Sequence, residues 1–178
     1  MPEPKEIPYC PHCGAKTFHA GSFKPWHCTS CNFKLYPNIA SAAGVFILDT
    51  QGRILMTERA HEPSIGKLGL PGGFLERGET AEEGLIREVE EEVGIPIEKL
   101  EYLCSSPNRY AFGGITYDTL DLFYTATTSA TETIIDPEEV AAVHWMHAKD
   151  VKPKDLAFQS FLHAFKNLKK RIGEESIF

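Results

Sequence analysis

The chain has no apolar run of membrane-spanning length, which excludes a helical membrane protein, because a crossing helix needs about 20 mostly apolar residues. Residues 1–6 lack the basic-then-apolar order of a secretory signal, so cytoplasmic residence is expected. No internal repeat or low-complexity tract is evident, which excludes a solenoid. Positive charge is scarce as well. Lys and Arg number 18 against 25 Asp and Glu, a net charge of −7 that is unevenly placed: residues 1–37 carry +2 and the remainder −9. The larger part is therefore ill suited to hold long nucleic acid electrostatically. What is present, 178 residues with 42% apolar and 24% charged, suits one large domain with a small appendage.

Cysteine is sparse and clustered. Four of the five cysteines form Cys10-Pro-His-Cys13 and Cys28-Thr-Ser-Cys31, separated by 14 residues. Two such knuckles, the first followed by Gly14, can wrap turns around one tetrahedral zinc, as in zinc ribbons. A disulfide pair fits a cytosolic chain less well, and no βαβ pattern surrounds Cys10-Pro-His-Cys13 to support a redox role. The segment is too short to bury a useful core, so metal binding would supply its folding free energy. His12 and His27 adjoin the cysteines as bystanders, and Cys104 reads as a small buried hydrophobe. Proline and asparagine at Tyr36-Pro37-Asn38 mark a boundary between a ribbon over 1–37 and a second domain over 38–178.

In the second domain, 42–48 and 53–58 read as strands joined by the turn Asp49-Thr50-Gln51-Gly52. Further strands are expected at 101–106, 120–127 and 141–146, and a helix at 156–170 from the apolar spacing of Phe158, Phe161, Leu162, Phe165 and Leu168. Between them, Gly73-Phe-Leu-Glu-Arg-Gly-Glu79 is followed after seven residues by Arg87-Glu-Val-Glu-Glu-Glu-Val-Gly-Ile95. A helix is expected here, with Thr80 and Glu83 as a capping box and Gly94 as its left-handed end. Leu85, Ile86, Val89 and Val93 fall in one sector about 100° wide, and Glu88, Glu91 and Glu92 fill the neighbouring one. Like charges at this spacing cost roughly 0.2–0.5 kcal/mol per pair, so the cluster calls for a cation unless it is simply a solvated acidic face. Magnesium, an oxygen-seeking ion that bridges carboxylates to substrate phosphates, is the natural candidate.

Gly73, five residues, Glu79, seven residues, then Arg87-Glu88-apolar-x-Glu91-Glu92-x-Gly94-apolar is similar at every fixed position to the signature of the Nudix hydrolase family. The resemblance implies an α/β/α sandwich with a mixed sheet, preceded here by the ribbon. It also implies that Glu88, Glu91 and Glu92 hold magnesium or manganese with the Gly73 carbonyl, that Glu79 supports the site, and that Arg87 orients carboxylates. Glu76, Glu82, Glu83 and Glu90 are read as structural or solvating. A ribbon joined through Leu-Tyr-Pro to such a domain resembles the NADH, ADP-ribose and FAD pyrophosphatases. The Ser-Gln-Pro-Trp-Pro-Phe-Pro segment associated with the NADH enzymes is absent, whereas Leu156-Ala-Phe-Gln-Ser160 is similar to a stretch in FAD and ADP-ribose hydrolysing members. Leu68 stands where many members have tryptophan.

These features imply cleavage of a nucleoside diphosphate linked to another moiety, with a small nucleotide as partner and a homodimer left open. Nucleoside triphosphates or capped RNA ends are the enzymatic alternatives, and a ribbon-based binding regulator with an inactive domain is the alternative from another class. The proton acceptor is either a glutamate of the signature or one of Asp136, Glu138 and Glu139. For the base end of the substrate, Arg109, Tyr110, Phe112 and Tyr117 offer ring surfaces and a cation in a Gly-Gly-containing segment, unless these rings pack on the sheet. Phe123 and Tyr124 are expected in the core.

Overall fold

The computed structural model describes residues 9–19, 25–36, 38–130 and 132–173. The amino-terminal stretch searched for a signal, Pro37 of the junction, and residues 174–178 of the tail lie outside the described residues. Chain contacts divide the protein into two compact units, Met1–Asn38 and Ile39–Phe178.

The first unit is a three-stranded antiparallel sheet in the order β1 (Phe18–His19), β2 (Trp26–Cys28), β3 (Lys34–Leu35). Its two knuckles repeat one device. Gly14 donates to the Cys10 carbonyl and Asn32 to the Cys28 carbonyl, each at 2.9 Å, and both Gly14 and Asn32 adopt positive φ, at 72° and 59°. Asparagine tolerates the left-handed region, so the second knuckle turns without glycine. Cys10, Phe18 and Cys28 form a small buried cluster, with Trp26, Phe33 and Leu35 packed against it.

The second unit is an α/β/α sandwich around a six-stranded mixed sheet, as the sequence implied. The strands are β4 (Ala40–Leu48), β5 (Ile54–Arg59), β6 (Leu68–Gly69), β7 (Glu98–Phe112), β8 (Ile115–Thr127) and β9 (Val140–Met146). The order is β6-β5-β4-β8-β7, with β9 also paired to β5; β4 and β8 run parallel, and the other pairs are antiparallel. The parallel β4 carries an unbroken small and apolar run, Ala43 to Leu48, because both of its faces are covered. Val45 and Ile47 pack under α1 (Ala81–Val93) with Leu85, Val89 and Val93, while Phe46 packs under α2 (Gln159–Arg171) with Ala164, Phe165 and Leu168. No helix among the described residues is long and apolar enough to cross a membrane.

α1 begins on the full Thr80/Glu83 capping box and ends at Gly94, φ 62°, whose N–H donates to the Glu90 and Val89 carbonyls. One expected core residue is displaced: Ile86 is 52% exposed, and Glu92, from the opposite edge of the apolar sector, is buried instead. A helical wheel gives direction only; what stands against each edge is decided by the sheet and loops. α2 starts at Gln159 rather than 156, since Pro153–Asp155 forms a separate 3-10 turn and Phe158 is extended. The expected strands 101–106 and 120–127 are parts of one long hairpin. β7 and β8 continue to Phe112 and Ile115, turning on Gly113 and Gly114 at φ 58° and 76°, the positive pair that a two-residue hairpin turn favours.

Candidate functional site

Residues Pro71 to Leu75 run beside the start of β4. Val45 donates to the Pro71 carbonyl at 3.0 Å, Ala43 to Gly73 at 2.9 Å, and Leu75 to Ser41 at 3.0 Å. Glycine is required at one position of this approach, and at the next its absence of a side chain leaves room for a helix carboxylate. A Cβ on Gly72, at φ 133°, would overlap the Ala43 carbonyl, and one on Gly73 would stand 2.6 Å from Glu88 Oε1. The closeness brings backbone and helix carboxylates together. Gly72 N–H donates to Glu92 Oε2 at 3.0 Å, fixing the side chain that points inward from the last turn of α1.

The segment after β8 reaches the same place from the other side. Ile134 and Asp136 donate to the Val93 and Glu92 carbonyls at 3.0 and 3.1 Å, using groups left free at the end of α1. This docking sets Glu139 beside the helix. Ligand oxygens of Glu88, Glu92 and Glu139 all lie within 4.8 Å of one another, an arrangement that could hold a metal ion. Of the three loop candidates, Glu139 alone lines the cavity; Asp136 accepts the Glu138 N–H at 2.9 Å, a local turn contact.

Burial and the neighbouring carboxylates Glu88 and Glu139 push the Glu92 carboxyl from its ordinary value near 4.5 up to about 8, against the pull of the Gly72 N–H. Burial also raises Glu88, with Arg87 opposing. Arg87 binds three carboxylates: Glu79 Oε1, Glu88 Oε1 and Glu91 Oε2, each at 3.0 Å. Its hydrogen bond holds Glu79 below the usual carboxylate range. Glu79 in turn lies against α1 at Gly84, where any Cβ would come within 2.6 Å of Glu79 Oε1. Glu91 is the most open of the set, its side chain 60% exposed. The Gly73 carbonyl already accepts the Ala43 N–H and keeps one lone pair for another partner.

Glu88, Glu92 and Glu139 form one end of a cavity of about 390 Å³. Tyr110, Phe123, Phe158 and Phe161 supply aromatic walls farther along it, with Arg59, Asn108, Thr119 and Asp121. The Arg59 guanidinium sits 5.2 Å from the Phe158 ring centre, and the Tyr110 ring is 5.8 Å from Phe158 and 5.4 Å from Phe74. Of the four expected base-end residues, Tyr110 alone lines this cavity. Neighbours on a strand face opposite ways, so Arg109 projects away from Tyr110 and approaches Asp118 at 3.6 Å. Phe112 and Tyr117 are 57% and 41% exposed near the hairpin tip. Arg59, Asn108, Asp121 and Phe158 were not singled out by sequence reasoning for this cavity. Phe158 had a signal, its place in the Leu-Ala-Phe-x-Ser stretch; the others carry none.

In the first unit the four thiols converge. Cys10 Sγ lies 3.8 Å from Cys31 Sγ, and Cys13 Sγ 3.7 Å from Cys28 Sγ. Four sulfurs bound to one zinc at about 2.3 Å stand roughly 3.8 Å apart, so the cluster fits that ion. The Thr17 hydroxyl, 3.3 Å from Cys28 Sγ, lowers this thiol to about 6 despite burial, while burial and the neighbouring thiols push Cys31 up to about 12.

The NAD-capped RNA hydrolase NudC of Escherichia coli O1:K1 / APEC is 29% identical over 143 residues, covering 80% of this chain and 52% of the relative. The chain thus spans about half the length of the curated relatives it matches. The crystal structure of a MutT NUDIX hydrolase from Burkholderia pseudomallei is 26% identical and superposes with a TM-score of 0.64, covering 74% of this chain and 99% of the other. A NUDIX hydrolase structure from Nitrosomonas europaea, 21% identical, covers 97% of both chains with a TM-score of 0.70. Residues 38–165, which include the whole acidic helix and its glycine approach, match the NUDIX domain family, and the chain belongs to the Nudix hydrolases.

Proposed function

We propose that this protein hydrolyses the diphosphate linkage of a nucleoside diphosphate joined to another moiety, of the ADP-ribose, FAD or NAD(H) type, releasing AMP and the phosphorylated remainder. The observation that carries this reading is the cavity itself. It has three carboxylates at one end and aromatic walls beyond them, which suits a ligand with an anionic centre and a flat ring.

Glu88, Glu92 and Glu139 fit a hard divalent cation, since they offer only oxygen donors within reach of one another, and burial, with a smaller contribution from their mutual repulsion, raises the carboxyls of Glu88 and Glu92. Magnesium or manganese bound there would neutralise phosphate oxygens and make water more acidic. The chain does the positioning. Gly72 N–H and the Arg87 guanidinium fix the orientation of Glu92 and Glu88, which is where electrostatic preorganisation matters most. Glu91, expected from the sequence as a metal ligand, stands outside both the three-carboxylate cluster and the cavity lining, its exposed side chain held by Arg87. Glu139 comes from a separate loop, and in this reading one of its carboxylate oxygens would hold the cation while the other accepts the proton from the attacking water. Arg59 and the rings of Tyr110 and Phe158 hold the nucleoside end.

The E. coli relative is named for NAD-capped RNA, a substrate with the same ADP-linked diphosphate, which supports the bond class. The net −9 outside the ribbon favours a small nucleotide over a long RNA body. Purified protein with magnesium should release AMP from at least one of ADP-ribose, FAD and NADH. Turnover confined to nucleoside triphosphates, or none with magnesium or manganese, would overturn the reading.

A further inference from the structure

At the floor of the cavity lies a carboxylate that the hydrolytic step does not use. Asp121 is 5% exposed, and each of its oxygens accepts one buried hydroxyl: Oδ1 from Thr119 and Oδ2 from Ser160, both at 2.7 Å. Among the described residues it forms no ion pair. A carboxylate offers about four acceptor sites, so two hydroxyls leave it with unused capacity, and Asp121 lines the cavity. Both oxygens are satisfied within the protein, and their remaining lone pairs can accept from a ligand that enters the cavity.

Register shows why the space exists. Ala42 and Gly44 on β4 stand beside Asp121 and Phe123 on β8, so two small residues leave a hollow over the sheet. Asn108 on β7 pairs with Thr119, lines the same cavity, and its side-chain amide has no partner among the described residues. The cavity thus presents an acceptor at Asp121 and an amide donor at Asn108, with the rings of Tyr110, Phe158 and Phe161 in the same lining.

We infer that Asp121 is a specificity-determining residue that accepts a hydrogen bond from the 6-amino group of an adenine base, with the Asn108 amide donating to the neighbouring ring nitrogen. Electrostatics fixes the direction of the ligand. A diphosphate is repelled by Asp121 and belongs at the cation-binding end, which leaves the neutral base for the floor. Hypoxanthine and guanine place a carbonyl oxygen where adenine has its amino group, against the carboxylate, and are rejected.

The inference rests on the proposed nucleotide reading but is tested without turnover. Equilibrium binding of AMP, IMP and purine riboside 5′-monophosphate is measured on the whole zinc-loaded chain with magnesium present. AMP should bind at least about tenfold tighter than either analogue. In Asp121→Asn the new amide can donate to the IMP carbonyl, and the AMP preference should fall by about tenfold or more. Equal affinities in the wild-type protein, or an unchanged preference in a folded variant, would overturn the inference; if the variant does not fold, the three wild-type affinities decide. A protein that prefers AMP but cleaves no diphosphate supports the base site and sinks the proposed reaction, and cleavage without base preference does the reverse.

Discussion

Glu92→Gln should stabilise the fold while abolishing the proposed activity. The Glu92 carboxyl is pushed up to about 8 by burial and by Glu88 and Glu139, so the metal-free folded state keeps a proton there that the unfolded chain releases near 4.5. Between those two values the native state binds more protons than the unfolded state, and stability falls as pH rises. At 1.36 kcal/mol per unit, the wild-type protein loses about 3 kcal/mol by pH 7 through this one group. Glutamine is isosteric, keeps an oxygen for the Gly72 N–H, and turns an amide toward the two remaining carboxylates. Denaturation in magnesium-free buffer should therefore show little gain for the variant at pH 4.5 and a gain of about 3 kcal/mol at pH 7 that grows to about 4 kcal/mol by pH 8, a Tm rise on the order of 10 °C. Turnover with magnesium should fall by about a hundredfold or more. A gain independent of pH, or none at pH 8, would refute the reasoning from burial.

Gly73→Ala should lower turnover by about tenfold or more with the sheet intact, because its Cβ would displace Glu88; steady-state kinetics beside circular dichroism checks this. The ribbon should carry one zinc per chain on Cys10, Cys13, Cys28 and Cys31 and lose local structure on chelation, as read by metal analysis and NMR of the residues around them. Tyr110→Ala should raise KM for an adenine dinucleotide several-fold, whereas Phe112→Ala, at an exposed position, should leave KM within about twofold.

The parts legible in the sequence are those specified locally. Thr80 with Glu83 and the left-handed Gly94 bound α1 because caps act within one turn, and the cysteine pairs mark the ribbon because each knuckle closes on itself. The parts that escaped depend on distant chain meeting distant chain. Asp121 and Asn108 share a floor only because β7 and β8 pair in a register carried from one long hairpin. Arg59 ends an inconspicuous strand, and nothing in its neighbourhood shows that Phe158 will lie against it. Arg109 lies next to Tyr110 in sequence, yet strand alternation takes its side chain the other way. Among Asp136, Glu138 and Glu139 composition gives no preference; the two hydrogen bonds that dock 134–136 on the end of α1 select the one that lines the cavity.

The central claim, that Glu88, Glu92 and Glu139 hold a divalent cation, is tested most directly by titrating manganese into the zinc-loaded protein and following free ion by electron paramagnetic resonance. Wild-type protein should deplete the free signal with saturable binding, and the Glu88→Gln/Glu92→Gln double variant should bind at least about tenfold more weakly while remaining folded. Equal manganese binding by both proteins would contradict the account.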